Sequence, residues 1–282
     1  MIMVKIAVIG ICGKSIFMNV DHFHTPGETV VAESTFSEIG GKGVNQAIAA
    51  SRMGGHVCFL AAIGDDVDGQ ECIRCTESEG ILCHFATKKG ERTTFAVILA
   101  DKNGENRVTG YHGAELTPED VKDFEDAIAQ SDILLLQHEV PVNVNIAAAC
   151  LARKHGVKVI LNPAPIVDIP EALAENIWLV TPNEHEAKGL SGIVFPNRIT
   201  TLGGDGCRIE GGAQIPALAL TPVDTTGAGD TFNGVLAVCL AEGMPMEKAC
   251  RYAVVASGLS VTKRGVLTSI PHRNEIERRI YL

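Results

Sequence analysis

The stretch 223-VDTTGAGDTFNGVLAVCLAEG-243 decides how the rest of the chain is read. Gly227, Ala228 and Gly229 stand directly before an apolar run with helical spacing. Asp230 falls at the helix start, where an acidic side chain complements free N–H groups and the helix dipole. Small residues let an anionic ligand approach the backbone, and the amides of the first turn point towards it. Such a corner can hold a phosphoryl group in transit. Asp230 is then a candidate general base, placed to take the proton of an attacking hydroxyl. Taken alone, the same residues also suit an ordinary capping Asp after a tight turn, so the surrounding chain has to decide.

Outward from this stretch, short apolar runs alternate with helical patterns: "VKIAVIG", "HVCFLAAIG", "DILLLQHE", "VKVILNPAP", "IWLVTPNE" and "RITTLGG". Runs with little alternation are buried on both faces, and intervening helices imply parallel strands with crossover connections. Helices are expected over 44–53, 69–80, 117–130, 143–155, 184–190, 230–242 and 246–260. The fold class is therefore α/β, a doubly wound, mostly parallel sheet sandwiched by helices, in which ligands bind beyond the carboxyl ends of the strands. Residues 16–39 and 92–112 break the pattern with β-branched residues and the turn signals "TPGE" and "KNGEN". They read as strands of a small β lid over the ligand cleft, supplied by two separate parts of a single unit spanning 1–282. The nine residues "GLSGIVFPN" before "RITTLGG" leave no room for a second helix in that crossover.

Composition narrows the ligand. The net charge of −10 disfavours nucleic acid and membrane surfaces, both of which need a basic face. A small molecule is the better expectation. Nine cysteines without repeated spacing fit reduced thiols in the cytoplasm, and the pair Cys72 and Cys75 has no second pair to complete a zinc site. Residues 2–13 read as a buried first strand, too short for a signal core with its flanks or for a membrane span.

Two further corners carry polar groups. In 38-EIGGKGVNQAIAASRMGG-55, Gly40, Gly41 and Gly43 form an open turn before an alanine-rich helix, and Lys42 and Asn45 offer ammonium and amide donors to a hydroxyl-rich ligand. In "VTPNEHEAKGL", Asn183 and Glu186 lie three apart on one helical face after a strand. They suit either a hydrated Mg²⁺ beside a polyphosphate or a helix cap with a solvated Glu. Gly13-Lys14-Ser15 looks like the end of a P-loop, but that pattern needs a glycine at position 8, where Val8 stands.

Together these corners resemble the ribokinase-like, PfkB-type carbohydrate kinases over nearly the whole chain. The likeness rests on "TPGETV", "GGKGVNQAIAA", "LQHEVP", "LNPAP", "TPNEHEA", "TTLGGDG", "VDTTGAGDTFNG" and "VTKRGV", all in the family order. The resemblance implies that Asp230 is the catalytic base, with Gly227, Ala228 and Gly229 as its anion hole. It implies sugar contacts at Gly41, Lys42, Gly43, Asn45 and Glu139, and magnesium and phosphate near Asn183 and Glu186. Thr201, Gly203, Gly204 and Gly206 match the nucleotide loop. Asp224, Thr226, Ser260, Lys263, Gly265 and Ser269 match the shell of a monovalent cation site, several through main-chain carbonyls. The cation, K⁺ in the family, would order the loops around the anion hole.

The resemblance also explains Gly13-Lys14-Ser15. Members that act on ribose usually carry Asn-x-Asp there to hold sugar hydroxyls, so this is a changed sugar corner, in which Lys14 meets an anionic group or points to water. The implied activity is ATP-dependent phosphorylation of a primary sugar hydroxyl, with ribose as the leading acceptor. Another sugar, a sugar phosphate or a nucleoside is the alternative. A non-catalytic sugar-binding regulator is the competing class, and a homodimer through the lid edge is expected of such a fold.

Overall fold

A computed structural model describes residues 3–103 and 105–280. The chain opens with β1 (Lys5–Ile9), β2 (Gly13–Val20), β3 (Ser34–Gly40) and α1 (Lys42–Arg52). It continues through β4 (His56–Gly64), α2 (Val67–Ser78), β5 (Leu82–Lys88), β6 (Phe95–Asp101) and β7 (Asn106–Tyr111). Two short helices, α3 (Pro118–Asp123) and α4 (Glu125–Ala129), precede β8 (Ile133–Gln137), α5 (Val142–His155) and β9 (Lys158–Asn162). Then come α6 (Glu171–Ala174), β10 (Leu179–Val180), α7 (Glu184–Gly189), β11 (Ile199–Thr201), β12 (Cys207–Ile209) and β13 (Gln214–Ile215). The last elements are α8 (Ala228–Ala241), α9 (Met246–Ser260) and α10 (Arg273–Ile280).

Six strands form the main sheet in the order β10-β9-β8-β1-β4-β5, every neighbouring pair parallel. In β1, Ile6 and Val8 belong to the core on the side of α1, α8 and α9, while Ala7 and Ile9 belong to the core on the side of α3, α4 and α5. Strand β8 splits the same way, Ile133 and Leu135 to one side, Leu134 and Leu136 to the other. Burial on both faces is why these strands lack alternation. Each fully buried Ile or Leu contributes about 1.5–3 kcal/mol, so the middle of the sheet is the firm base on which the loops at its carboxyl end are built.

Two expectations need correcting. "RITTLGG" does not extend the main sheet as a regular strand. β11 pairs antiparallel with β12 in a three-stranded sheet and touches the main sheet through single parallel bridges, Val180 to Arg198 and Asn183 to Thr201. The cause is the reversal at Gly206, whose φ of 90° and close approach to the Ile215 carbonyl admit only glycine. The helix expected over 117–130 is broken at Phe124, whose side chain is fully buried between α3 and α4.

The second sheet has the order β3-β2-β6-β7, with β2 antiparallel to β3 and parallel to β6, and β6 antiparallel to β7. It uses the two segments expected for the lid, although β2 begins at Gly13 and residues 21–33 hold no strand. Part of the turn "KNGEN" lies outside the described residues, at Gly104. Residues 190–198 hold no helix, and Leu190 and Phe195 close the gap with buried side chains. Among the described residues no helix is long and apolar enough to cross a membrane, and all nine cysteines are free.

Candidate active site

The turn before α8 is set by Gly227, whose φ of 74° is left-handed. A Cβ there would collide with Val266. Asp230 follows in the first helical turn and is 4% exposed. Burial of a carboxylate demands partners, and two amides supply them: Asn45 Nδ2 donates to Oδ2 at 2.9 Å and Gln46 Nε2 to Oδ1 at 3.1 Å. Both donors come from the first two turns of α1, which packs across α8 where Gly234 lets the two backbones meet. Asn45 Oδ1 is buried and has no hydrogen-bond partner. A buried acceptor left open is costly unless a ligand supplies the donor.

The α1 turn is equally constrained. Gly41 has φ 114°, and a Cβ on Gly43 would stand 2.7 Å from the Gly10 backbone. This close approach brings the Lys42 amide to Glu139, where it donates to Oε2 at 2.7 Å. Burial pushes the Glu139 carboxyl up to about 7, the Lys42 ammonium opposing the shift and Asp230 adding to it. Lys42 is in turn raised, chiefly by the charge of Asp230.

At the end of β10, Asn183 caps α7. Its Oδ1 accepts from the His185 and Glu186 amides, while Glu186 accepts from Asn183 N at 2.8 Å and Nδ2 at 2.9 Å. The pair is a reciprocal helix cap, and Glu186 lies within the field of Lys42 and Asp230. Burial raises the Glu186 carboxyl, with the Asn183 amide and Lys42 opposing.

A cavity of about 450 Å³ opens in front of the α8 terminus. Thr201, Gly203, Gly204 and Gly206 line one side, Val254, Ser257, Gly258 and Val261 another, and Ala228, Gly229 and Phe232 its inner end. A Cβ on Gly229 would meet nothing within 4 Å, so the space reaches the helix amides. The volume lies in the range of small-molecule sites.

The six residues matched to the cation shell fall in one region beside this end. Asp224 accepts from Thr226 N at 3.0 Å and Gly265 N at 3.2 Å. Ser260 and Ser269 donate to the Ser257 and Val266 carbonyls, and the Lys263 amide donates to the Ser260 carbonyl. The Lys263 ammonium points away to Glu275 at 3.7 Å, which leaves only its backbone for such a shell. Sequence reasoning missed Glu38. From β3 it accepts the Val266 amide at 2.9 Å and the Leu267 amide at 3.3 Å, tying the second sheet to this loop.

Gly13-Lys14-Ser15 makes no phosphate cradle. A Cβ on Gly13 would collide with the Thr94 carbonyl, and Ser15 Oγ lies against Gly40. The Lys14 ammonium, 12% exposed, does not point to solvent: it pairs with both carboxylate oxygens of Glu71 on α2, at 2.6 and 2.5 Å. Also absent from the sequence reading were Gln46, Gln137, Asn162, Thr181 and Asn233. The last holds the Gly229 carbonyl at 2.8 Å and accepts from Thr181 Oγ1 at 2.6 Å. All five stand inside the motifs "GGKGVNQAIAA", "LQHEVP", "LNPAP", "TPNEHEA" and "VDTTGAGDTFNG", and three of them interrupt apolar runs, "LLLQ", "VILN" and "WLVT".

A buried acid in the first turn of a helix whose neighbouring residues Gly229 and Phe232 line a nucleotide-sized cavity, with amide donors and an ammonium beside it, is the arrangement of a phosphotransferase of α/β construction. The sequence profile of pfkB family carbohydrate kinases matches residues 3–273, and the chain belongs to that family. Ribokinase of Haemophilus influenzae is 36% identical over 294 aligned positions, covering 96% of each chain. That of Bacillus subtilis is 34% identical, covering 97% of this chain and 98% of its own. Ribokinase of Thermotoga maritima superposes with a TM-score of 0.90 at 33% identity, covering 99% of this chain and all of its own. Arabidopsis thaliana ribokinase complexed with ribose and ATP superposes at 0.88 with 27% identity, covering both chains completely. The chain is an ATP-dependent sugar kinase.

Proposed function

We propose that the acceptor is D-ribose, that the product is ribose 5-phosphate, and that the residues gathered at the α8 terminus perform the transfer. The observation that carries the reading is Asp230, buried between the donors of α1 and the mouth of the nucleotide-sized cavity. The sugar lies between α1, Glu139 and the second sheet, which acts as a lid on a single kinase unit. Its hydroxyls pair with the open Asn45 Oδ1, Glu139 and the turn at Gly41, Lys42 and Gly43. ATP occupies the cavity with its base between the apolar walls and its phosphates beside Gly203, Gly204 and Gly206. Asp230 takes the proton of the primary hydroxyl as that oxygen attacks the γ-phosphorus. The first-turn amides after Gly227 receive the charge on the transferring group. Closing the lid excludes water as a competing acceptor.

Hard oxygen donors suit both cations of the proposal. Glu186, tied to Asn183, would hold a hydrated Mg²⁺, which supplies charge neutralisation at the phosphates. The Asp224 carboxylate, with carbonyls near Thr226, Ser260, Lys263, Gly265 and Ser269, would hold K⁺ and steady the loop behind the anion hole. The enzyme works in the cytoplasm, where its thiols stay reduced, and pairs through the lid as a homodimer.

The deciding experiment is a coupled assay with ribose, ATP, Mg²⁺ and K⁺, run beside a panel of pentoses, fructose, sugar phosphates and nucleosides. Ribose should give the highest kcat/KM. Asp230→Asn should lower kcat by roughly 10²–10⁴-fold while ribose still binds. An active Asp230→Asn enzyme refutes the base, and binding without ADP release anywhere in the panel favours a regulator. Loss of the Asn-x-Asp clamp makes the panel essential, because Gly13 leaves no room to restore it.

A further inference from the structure

Asp230 is gripped by two amides, yet only Asn45 has a place in the proposed sugar corner. Gln46 is fully buried and touches no open space. We infer that Gln46 is a positioning residue for the base: a chain of buried amides holds its side chain in one sense, and that sense fixes the carboxylate plane of Asp230. The inference rests on the reading of Asp230 as base.

The polarity of the chain is set at its Thr181 end and by Asp230. The Thr181 carbonyl can only accept, so Asn162 turns Nδ2 towards it at 3.3 Å. This leaves Asn162 Oδ1 facing Gln46 Nε2 at 3.2 Å. The same nitrogen gives its other hydrogen to Asp230 Oδ1 at 3.1 Å, and Gln46 Oε1 accepts from Gln137 Nε2 at 2.8 Å. Turned over, Gln46 would set its oxygen against two acceptors and its NH₂ against the NH₂ of Gln137. In a buried site neither clash is relieved by water. At the other end Gln137 is held only at its backbone, whose carbonyl accepts from Asn145 Nδ2 at 2.7 Å; its side-chain Oε1 lies against Gly10 without a partner, so its sense follows from Gln46 Oε1 taking its NH₂.

The consequence concerns lone pairs. With Asn45 on Oδ2 and Gln46 on Oδ1, the carboxylate cannot swing about its last torsion, and the lone pairs left over keep a constant direction for the incoming hydroxyl. The charged groups around it, Lys42 from α1, Glu139 from the end of β8 and Glu186 from α7, act through space. They set the field at the base and leave its angle to the amides.

Two near-isosteric variants test this. Gln46→Met fills the space without a donor, and Gln46→Glu keeps the shape but turns an acceptor towards Asp230. Both should lower kcat roughly 10–100-fold, with KM for ribose and for ATP and the Kd for ribose within threefold of the parent. Thr76→Val, which removes a buried hydroxyl of α2 far from the site, serves as the stability control and should leave kcat alone. A kcat within twofold of the parent in Gln46→Met overturns the inference, as does a loss carried by KM. If Gln46→Met does not fold, Gln46→Glu takes over with the same expected split and the same overturning result. Asp230→Asn separates the two claims: if it is active, the base reading itself fails; if it is inactive while Gln46→Met is normal, only the positioning role fails.

Discussion

Glu139 lies beside Lys42 and Asp230, where its charge matters for stability and, in the proposed sugar site, for binding. Its carboxyl is raised from 4.5 to about 7 by burial, so the folded state prefers it protonated. A folded value above the unfolded one means stability present in full below about pH 4.5 and lost as pH climbs to about 7. Glu139→Gln should therefore gain on the parent across that window, seen as a difference in Tm that widens from pH 4.5 to 7. A constant difference would refute the burial argument. Binding should run the other way, since the ionised form is the better acceptor for a sugar hydroxyl: KM for ribose should fall as pH rises through about 7 in the parent and stay flat in the variant. At this scale the structure brings together residues that motif and chemistry single out in the sequence: Asn45 donates to Asp230, and Lys42 lies in its field. Gln46, Gln137 and Asn162 escaped because the contacts that join them to one another and to Asp230 span 91 to 184 residues and follow no spacing rule. Lys14 was misjudged for the same reason, its partner Glu71 standing on a separate helix.

Between elements, the tie from β3 to the loop after α9 has most to lose. Glu38 satisfies two amides at once, and burial raises its carboxyl against their pull. Glu38→Ala leaves those N–H groups without an acceptor, which should cost about 1–3 kcal/mol in global stability. Hydrogen exchange at the Val266 and Leu267 amides should accelerate; unchanged protection there would show that the tie is not what holds the loop. Gly227→Ala probes the same region from the helix side. The left-handed φ and the collision with Val266 should push the first turn of α8 out of line and lower kcat at least tenfold, measured at saturating ribose and ATP. Helices with long apolar stripes were legible to within two or three residues, α9 at both ends. α10 was not, because "RNEIERRI" buries only Ile276 fully and carries charge at five of its eight positions. β5 was missed at the sheet edge, where half-exposed residues blur the apolar run. The nature of the crossover over 190–198 was readable from length alone, since nine residues cannot hold a helix and both its connections.

For the molecule as a whole, the main sheet has helices on both faces, whereas the second sheet keeps large apolar side chains in solvent. On one face of that sheet Phe36 and Val108 are 42% and 64% exposed, with Phe17 and Phe36 stacked there; on the other face Tyr111, 47% exposed, stacks on Phe95. A sheet is stable when one face is covered, and a net charge of −10 would keep copies apart unless apolar contact outweighed it. The proposed dimer meets both conditions by laying two lids together. Sedimentation velocity at tens of micromolar should then report a dimer, with Val108→Lys and Phe36→Glu shifting it to monomer. If the lid must be covered in order to close over the sugar, the monomeric variants should show KM for ribose raised several-fold while KM for ATP, bound on the far side of α8, barely moves. A parent protein that sediments as a monomer at that concentration, with the variants kinetically normal, would mean that each lid closes by itself.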